Sequence, residues 1–422
     1  MKSVWIVNHY ASDPRETASG SRHFSLSRRL AELGWDPAII AASSEHNSAR
    51  QRLEPGRKSG TTRREGVTFR WLRTSSYSGN GYARILNMIQ FTLAILRKRS
   101  VAGLPRPDVV IGSTVHPLAA WAASRLAKRY RVPFIFEIRD LWPQTLIDMG
   151  RISQDGLAAR SMRLLERSLC SQAAFVVTLL PNAADYLETV GVDREKVVWV
   201  SNGTDVDDFP PTTPPQSATF AFGYFGSLGL ANGVPTIIRA FADVVGTDRE
   251  KDCRLVLLGD GPGRDRLGQL ASELGISERV EFRPAVPKVE VPLFAAGMDC
   301  LVLNLLDLPI YRYGISLNKM FDYMAASRPV VMASNSVNNP VRDADGGICV
   351  PADDAPALGA AMMAVMNATQ TQRAQWGSNS RLYAREHFDY DVLGDALASV
   401  LDHAVQRSAP SVSPDKEKSV GR

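Results

Sequence analysis

Two ionisable residues stand one helical turn apart in the stretch YGISLNKMFDYMAASRP, Tyr313 to Pro329: Lys319, in the first turn of a short predicted helix, and Asp322. A cation at that end opposes the helix dipole, which favours anions there by about 0.3–1 kcal/mol. The plainer reading is an i,i+3 ion pair on the surface. The sharper one places a phosphate group at a helix N-terminus capped by Ser316. Lys319 would then add charge, and Asp322 would accept hydrogen bonds from neighbouring hydroxyls such as those of a ribose. A local rule broken without structural gain tends to mark a functional site.

Two glycine-rich turns in the same half could hold the rest of a nucleotide. FGSLGLANGVPTIIRA, Phe225 to Ala240, reads as strand, loop and helix and contains Gly226, Ser227 and Asn232. RLVLLGDGPGRDRL, Arg254 to Leu267, repeats the arrangement with Gly259, Gly261 and Gly263, whose spacing does not fit the dinucleotide fingerprint. Either turn alone could be a tight βα connection; together they suit a nucleotide better. In the first half, the backbone of Ser19-Gly20 could donate N–H groups to a phosphate, or Gly20 could merely cap a helix. His116, straight after a strand, is a candidate polar contact beside a more ordinary structural role. Glu137, Arg139 and Asp140 gather at a strand end next to Trp142. They could satisfy one another, or hold an acceptor hydroxyl at a cleft. The first strand leads into HYASDPRETASG, which lacks the glycines a dehydrogenase would need.

These residues need strand ends to present them. Short apolar runs such as SVWIVN, PAIIAA, DVVIGS, VPFIFE, TFAFGYFG, RLVLLG, DCLVLNL and PVVMAS alternate with amphipathic stretches along all 422 residues. That pattern predicts an α/β fold with parallel sheets covered on both faces. The Pro-, Thr- and Asp-rich stretch from Asn202 to Thr219 reads as a linker between two Rossmann-like, doubly wound domains facing a cleft. The expected boundaries are residues 1–201 for the first domain and 202–387 for the second. A helix at about 388–406 would pack back on the first domain, and 407–422 would form a disordered tail. With 45% hydrophobic and 22% charged residues the chain reads as soluble and globular. Its four scattered cysteines and unpaired histidines give no support for a metal site and point to a reducing compartment. The start lacks a secretory signal, and no stretch approaches a membrane span.

Several motifs together, HPLAA, FEIRDLWPQTLIDMG, NGTDVDDF, LLGDGPG, VPKVEVP and YGISLNKMFDYMAASRP, resemble glycosyltransferase family 4, which has the GT-B fold. The DLWPQTLIDMG and YGIS-NK-FDYMAA segments are most similar to its WbuB-like branch of N-acetylfucosamine-type sugar transferases. The resemblance covers the chain apart from its tail. It implies retention of anomeric configuration, a nucleotide-sugar donor, expected to be UDP-linked and bound mostly by the second domain, an acceptor bound mostly by the first, and no metal or further cofactor. Set beside the residues read above, it gives the expected donor-binding set Ser19, Gly20, Gly226, Ser227, Asn232, Gly259, Gly261, Ser316, Asn318, Lys319 and Asp322. Glu137, Arg139, Asp140 and Trp142 would bind the acceptor, with Asp140, His116 and Lys319 as the catalytic set. Front-face attack is implied, with the departing phosphate accepting the acceptor's proton. Two departures stand out. Ser227 and Asn232 occupy the places of the family's diphosphate-binding arginine and lysine, and Gly314 that of its first glutamate. Lys319 is therefore the leading candidate for neutralising the diphosphate, ahead of Arg312 and Arg264.

Charge is divided unevenly along the chain. Residues 1–200 carry 29 Lys and Arg against 17 Asp and Glu, whereas residues 201–422 carry 20 against 27. The basic half suggests an anionic partner. A helix predicted from Tyr82 to Arg99 sets Ile85, Met88, Ile89, Thr92, Leu93 and Leu96 on one face, widened by Phe91 and Ile95, and ends in Arg97-Lys98-Arg99. With a lipid-linked acceptor, this segment would seat the protein on the cytoplasmic face of an anionic membrane. A nucleotide-sugar 2-epimerase is the alternative within the fold. A basic nucleic-acid-binding module is the alternative outside it, although no nucleic-acid motif is present and no such partner is expected.

Overall fold

The structure is a computed structural model that describes residues 1–13, 22–45, 50–77, 79, 81–114, 116–211, 217–229, 232–247 and 252–408. Eight strands form the first sheet: β1 (Lys2–Val7), β2 (Trp35–Ala42), β3 (Ser59–Arg64), β4 (Val67–Leu72), β5 (Val109–Ser113), β6 (Phe134–Ile138), β7 (Phe175–Thr178) and β8 (Val197–Trp199). Their order is β3-β4-β2-β1-β5-β6-β7-β8, and only β3 runs antiparallel to its neighbour. The second sheet contains β9 (Phe220–Phe225), β10 (Cys253–Leu258), β11 (Val280–Arg283), β12 (Cys300–Asn304), β13 (Val330–Ala333) and β14 (Gly347–Val350). All its strands are parallel, in the order β11-β10-β9-β12-β13-β14.

The central strands are apolar on both faces because helices cover both. Val4 and Ile6 of β1 join one core with Leu26 and Leu30 of α1 (Arg22–Glu32), while Trp5 and Val7 join another with Phe91 of α2 (Tyr82–Leu96) and Ala123 of α3 (Pro117–Tyr130). The C-terminal helix Tyr390–Ser408 returns to the first domain. Its Leu393, Leu397 and Leu401 enter the core of Val4 and Ile6, and Asp395 binds Arg29 at 2.9 Å. The stretch expected as a linker is packed where it begins. Asn202 and Thr204 are buried, Val206 lies in a core of the second domain, and Asp205 binds Arg28 at 2.7 Å.

The helix starting at Tyr82 ends at Leu96, short of the expected Arg99, and a 3₁₀ turn, Lys98–Val101, follows. It has two apolar faces. Phe91, Thr92, Ala94 and Ile95 point inward, while Tyr82, Ile85, Leu86, Ile89 and Leu93 remain exposed. No helix among the described residues is long and apolar enough to cross a membrane.

Candidate active site

A cavity of about 470 Å³ opens where the carboxyl ends of β9 and β10 meet the start of the helix Asn318–Ala325. Gly226, Ser227, Asn232, Gly259, Asn318, Lys319 and Asp322 all line it, together with Asp260 and Lys288. Among the described residues no side chain caps the helix start at Leu317, so its first turn presents backbone N–H groups to the space. Gly226 has φ +144°, and a Cβ there would sit 3.0 Å from the Lys319 side chain, so glycine leaves the lysine its path.

Lys319 and Asp322 do not pair. Lys319 Nζ donates to Tyr224 Oη at 2.9 Å and to Asn232 Oδ1 at 2.7 Å, 4.6 Å from the centre of the Tyr224 ring. Burial without a charged partner pulls its ammonium down to about 7. Asp322 accepts from Thr204 Oγ1 at 2.8 Å and forms an ion pair with Lys288. Two expected donor contacts therefore find other uses. Ser316 is not the helix cap and does not line the cavity. Its hydroxyl accepts the Asn202 N–H at 2.9 Å and its carbonyl accepts from Asn202 Nδ2 at 2.7 Å, tying the second domain to the crossing segment. Gly261 packs against Leu228, whose backbone would meet a Cβ at 2.8 Å, so its missing side chain serves contact between the two glycine turns. Ser19 and Gly20 lie outside the described residues.

On the first domain, Glu137 is spent inside the sheet. Its carboxylate accepts from Arg22 Nε at 3.0 Å, His23 Nε2 at 2.7 Å and Ser113 Oγ at 2.6 Å. Despite burial, His23 and Arg22 hold it well below the usual carboxylate range. Burial in turn lowers His23, so the ring is neutral, donating to Glu137 and accepting from Asn8 Nδ2 at 2.8 Å. Glu137 therefore does not form the expected network with Arg139, and it is not free to hold an acceptor. Asp140 is exposed, next to Trp142 along a small recess between β6 and the helix Leu157–Gln172. Arg139 is half-buried, its backbone N–H donating to Thr114 Oγ1 at 2.9 Å. His116 sits buried at the start of α3 with its ring centre 5.0 Å from that of His9, and among the described residues neither ring nitrogen has a hydrogen-bond partner. Burial first, then His9 and Arg84, pull its pKa down to about 2, so it is a neutral imidazole able to donate or accept. Among the described residues no three His, Cys, Asp or Glu side chains gather as a metal site.

The family model for a glycosyl transferase 4-like domain matches residues 19–203, and that for glycosyl transferases group 1 matches residues 219–368. Together they take in most of the chain. It belongs to the glycosyltransferases. The enzyme is 26% identical to a D-inositol 3-phosphate glycosyltransferase of Xylanimonas cellulosilytica, over 75% of this chain and 77% of that one. Matches to two further proteins of that name, from Corynebacterium aurimucosum and Nocardia farcinica, span 56% and 54% of those chains. It is also 26% identical to the lipopolysaccharide core biosynthesis glycosyltransferase LpsE of Rhizobium meliloti, over 72% and 79% of the two chains. Sucrose-phosphate synthase from Thermosynechococcus elongatus superposes with a TM-score of 0.74 at 15% identity, covering 96% of this chain and all of the other. Anabaena Alr3699/HepE, solved in complex with UDP, gives 0.67 at 15% identity over the same shares. The fold is GT-B.

In this glycosyltransferase, Gly314 has φ +102°, and a Cβ there would lie 2.5 Å from the Pro181 ring of the first domain. Close domain contact thus leaves no room for a carboxylate at this position, where the resemblance places a glutamate. Arg312, an alternative phosphate ligand, is exposed outside the cavity and lies over the Tyr313 ring, while Arg264 binds Asp260 at 3.4 Å. Sequence reasoning missed Tyr224 and Lys288. The motif VPKVEVP held the only signal for Lys288, and nothing in a strand residue such as Tyr224 announces its partner.

Proposed function

We propose that this enzyme is a retaining glycosyltransferase that moves an N-acetylated deoxyhexosamine from UDP to a lipid-linked acceptor in surface polysaccharide assembly. One observation carries the reading: a lysine, an open helix N-terminus and two glycine turns converge on one cavity at the strand ends of the second sheet. A nucleoside diphosphate fits those groups. Lys319 and the backbone N–H groups at Asn318 meet the diphosphate, and Asp322 meets the ribose. Departure of the leaving group builds negative charge on the β-phosphate, and preorganised donors of this kind contribute the largest share of such catalysis. No metal enters the proposed mechanism. The departing phosphate takes the acceptor's proton on the same face. His116 orients a sugar hydroxyl and Asp140 an acceptor hydroxyl. The WbuB-like segments support the sugar, Alr3699/HepE with its UDP supports the nucleotide, and the name of LpsE supports a surface-glycan acceptor.

The lipid acceptor gives the exposed stripe of α2 a use. Ile85, Leu86, Ile89 and Leu93 present apolar surface beside Arg97, Lys98 and Arg99, all exposed, and each such cation near an anionic membrane contributes about 1 kcal/mol. The helix also carries Asn87, which binds His9 Nε2 at 2.6 Å next to His116, so the membrane-facing stripe and the acceptor side share one element. The enzyme then works at the cytoplasmic membrane surface.

The test is the lipid product formed from a UDP-linked N-acetylated deoxyhexosamine and a polyprenyl-diphosphate-sugar, examined by NMR with and without EDTA. The reading expects a new linkage with the donor's anomeric configuration, unaffected by EDTA. An inverted linkage, or an epimerised donor with no transfer, would overturn it.

A further inference from the structure

The two partners of Lys319 are both neutral, and both are turned by their other bonds. Tyr224 donates its hydroxyl hydrogen to the Ser227 carbonyl at 2.8 Å, and Asn232 donates its amide to the same carbonyl at 3.0 Å. Each therefore shows Lys319 only an oxygen lone pair. Burial raises the Tyr224 hydroxyl far above its ordinary value, so it does not supply a phenolate.

The charged groups around this cavity are engaged elsewhere. Asp322, one turn along the same helix, is held by Lys288 and Thr204. Asp260, from the turn after β10, accepts the Ala285 N–H at 3.1 Å and binds Arg264 at 3.4 Å. Lys288 is taken by Asp322. The half-buried lysine nitrogen thus has, among the described residues, only dipoles for partners, and it points into a space sized for a ligand. An isolated ammonium is costly there, and an amine is not.

We propose that entry of a nucleoside diphosphate into this cavity is coupled to the uptake of one proton from solvent by Lys319 Nζ. The amine of the empty site becomes the ammonium of the loaded one, and the diphosphate supplies the countercharge that the protein withholds. The inference rests on the donor-site reading above. The lowering of Lys319 to about 7 sets the scale: near pH 8 about nine-tenths of empty sites hold the amine. Linkage then requires the affinity for the diphosphate to fall by up to about tenfold per pH unit above neutrality. Such a device also keeps an unneutralised charge out of the site between turnovers.

The measurement is calorimetric titration of the full chain with UDP, GDP and TDP at pH 8, in PIPES, HEPES and Tris, buffers of different ionisation enthalpy. A phosphate's last ionisation near pH 6 leaves the nucleotide itself outside the proton balance at this pH. The binding heat should vary linearly with buffer enthalpy, with a slope approaching one proton taken up per nucleotide bound. In Lys319→Arg, whose cation is permanent, and in Lys319→Met, which has none, the slope should fall to near zero. Binding by the unmodified protein with the same heat in all three buffers overturns the coupling while leaving the donor site intact. Uptake that persists in Lys319→Arg assigns the proton to another group and also overturns it. If none of the three nucleotides binds, the donor-site reading falls and this inference with it.

Discussion

Asp322 and Lys319 are i,i+3 neighbours that ignore each other, because each meets a better partner from another segment. Lys288 and Thr204 claim the carboxylate; Tyr224 and Asn232 claim the amine. Residue types and spacing were enough to single out both side chains. Spacing along one helix could not show partners that arrive from loops 34 and 118 positions away. This changes what a substitution at Asp322 should do. Asp322→Ala leaves the half-buried Lys288 without its countercharge and Thr204 without its acceptor, a loss of about 1.5–3 kcal/mol that lowers Tm by roughly 3–12 °C in a domain of this size. Asp322→Asn keeps an acceptor for Thr204 and should unfold closer to the unmodified protein. Both should bind UDP roughly ten- to a hundredfold more weakly, as expected for a lost charge-assisted bond to ribose. Thermal unfolding with parallel calorimetry separates the two effects, and unchanged nucleotide affinity in Asp322→Asn would remove the residue from the site.

The parallel strands could be read from the sequence because their apolar runs are buried on both faces. Two strands had no such signature. β3, SGTTRR, is a polar edge strand, mostly exposed, and is held by antiparallel pairing to β4. β14, GICV, is four residues long and starts at a glycine with φ +153°. The charged cluster at the end of β6 was legible in composition but its partners were not, since Arg22 and His23 of α1 reach Glu137 across the sheet end. The junction of β5 and α3 carries a pH dependence. His116 has its pKa at about 2 in the folded chain and near 6.5 when unfolded, and His23 is also lowered. Below about pH 6.5 the unfolded chain therefore binds more protons, and stability falls as pH falls, by up to about 1.4 kcal/mol per pH unit for each ring. Glu166, raised by burial to about 7, acts in the opposite sense over the same range, so the difference between two proteins is the test: from pH 7.5 to 5.0 the urea midpoint of His116→Gln should fall less than that of the unmodified protein. The same change of midpoint with pH in both proteins would contradict the buried neutral ring of His116.

At the scale of the whole molecule, the basic half and the acidic half correspond to the two sheets, and α2 presents apolar surface beside the basic residues Arg97, Lys98 and Arg99. The sequence placed a helix there and counted one apolar face. It could not show that Phe91, Thr92 and Ile95 would turn inward while Ile85, Leu86, Ile89 and Leu93 stayed out, since that depends on where α3 packs. The protein should sediment with vesicles containing anionic lipid, and the bound fraction should fall as salt rises. Neutralising Arg97, Lys98 and Arg99, or replacing Ile89 and Leu93 by Asn, should each reduce it severalfold. Indifference to anionic vesicles at low salt would remove the membrane from the account. The central claim is transfer across the cleft from a nucleotide held by the second domain to an acceptor held by the first. It is tested most directly by the rate of nucleotide release from UDP-, GDP- and TDP-sugars, with and without a polyprenyl-diphosphate-sugar acceptor. The account predicts release from a UDP-sugar that rises at least tenfold when the acceptor is present and is lost in Lys319→Ala; release from none of the donors, or at the same rate without acceptor, would contradict it.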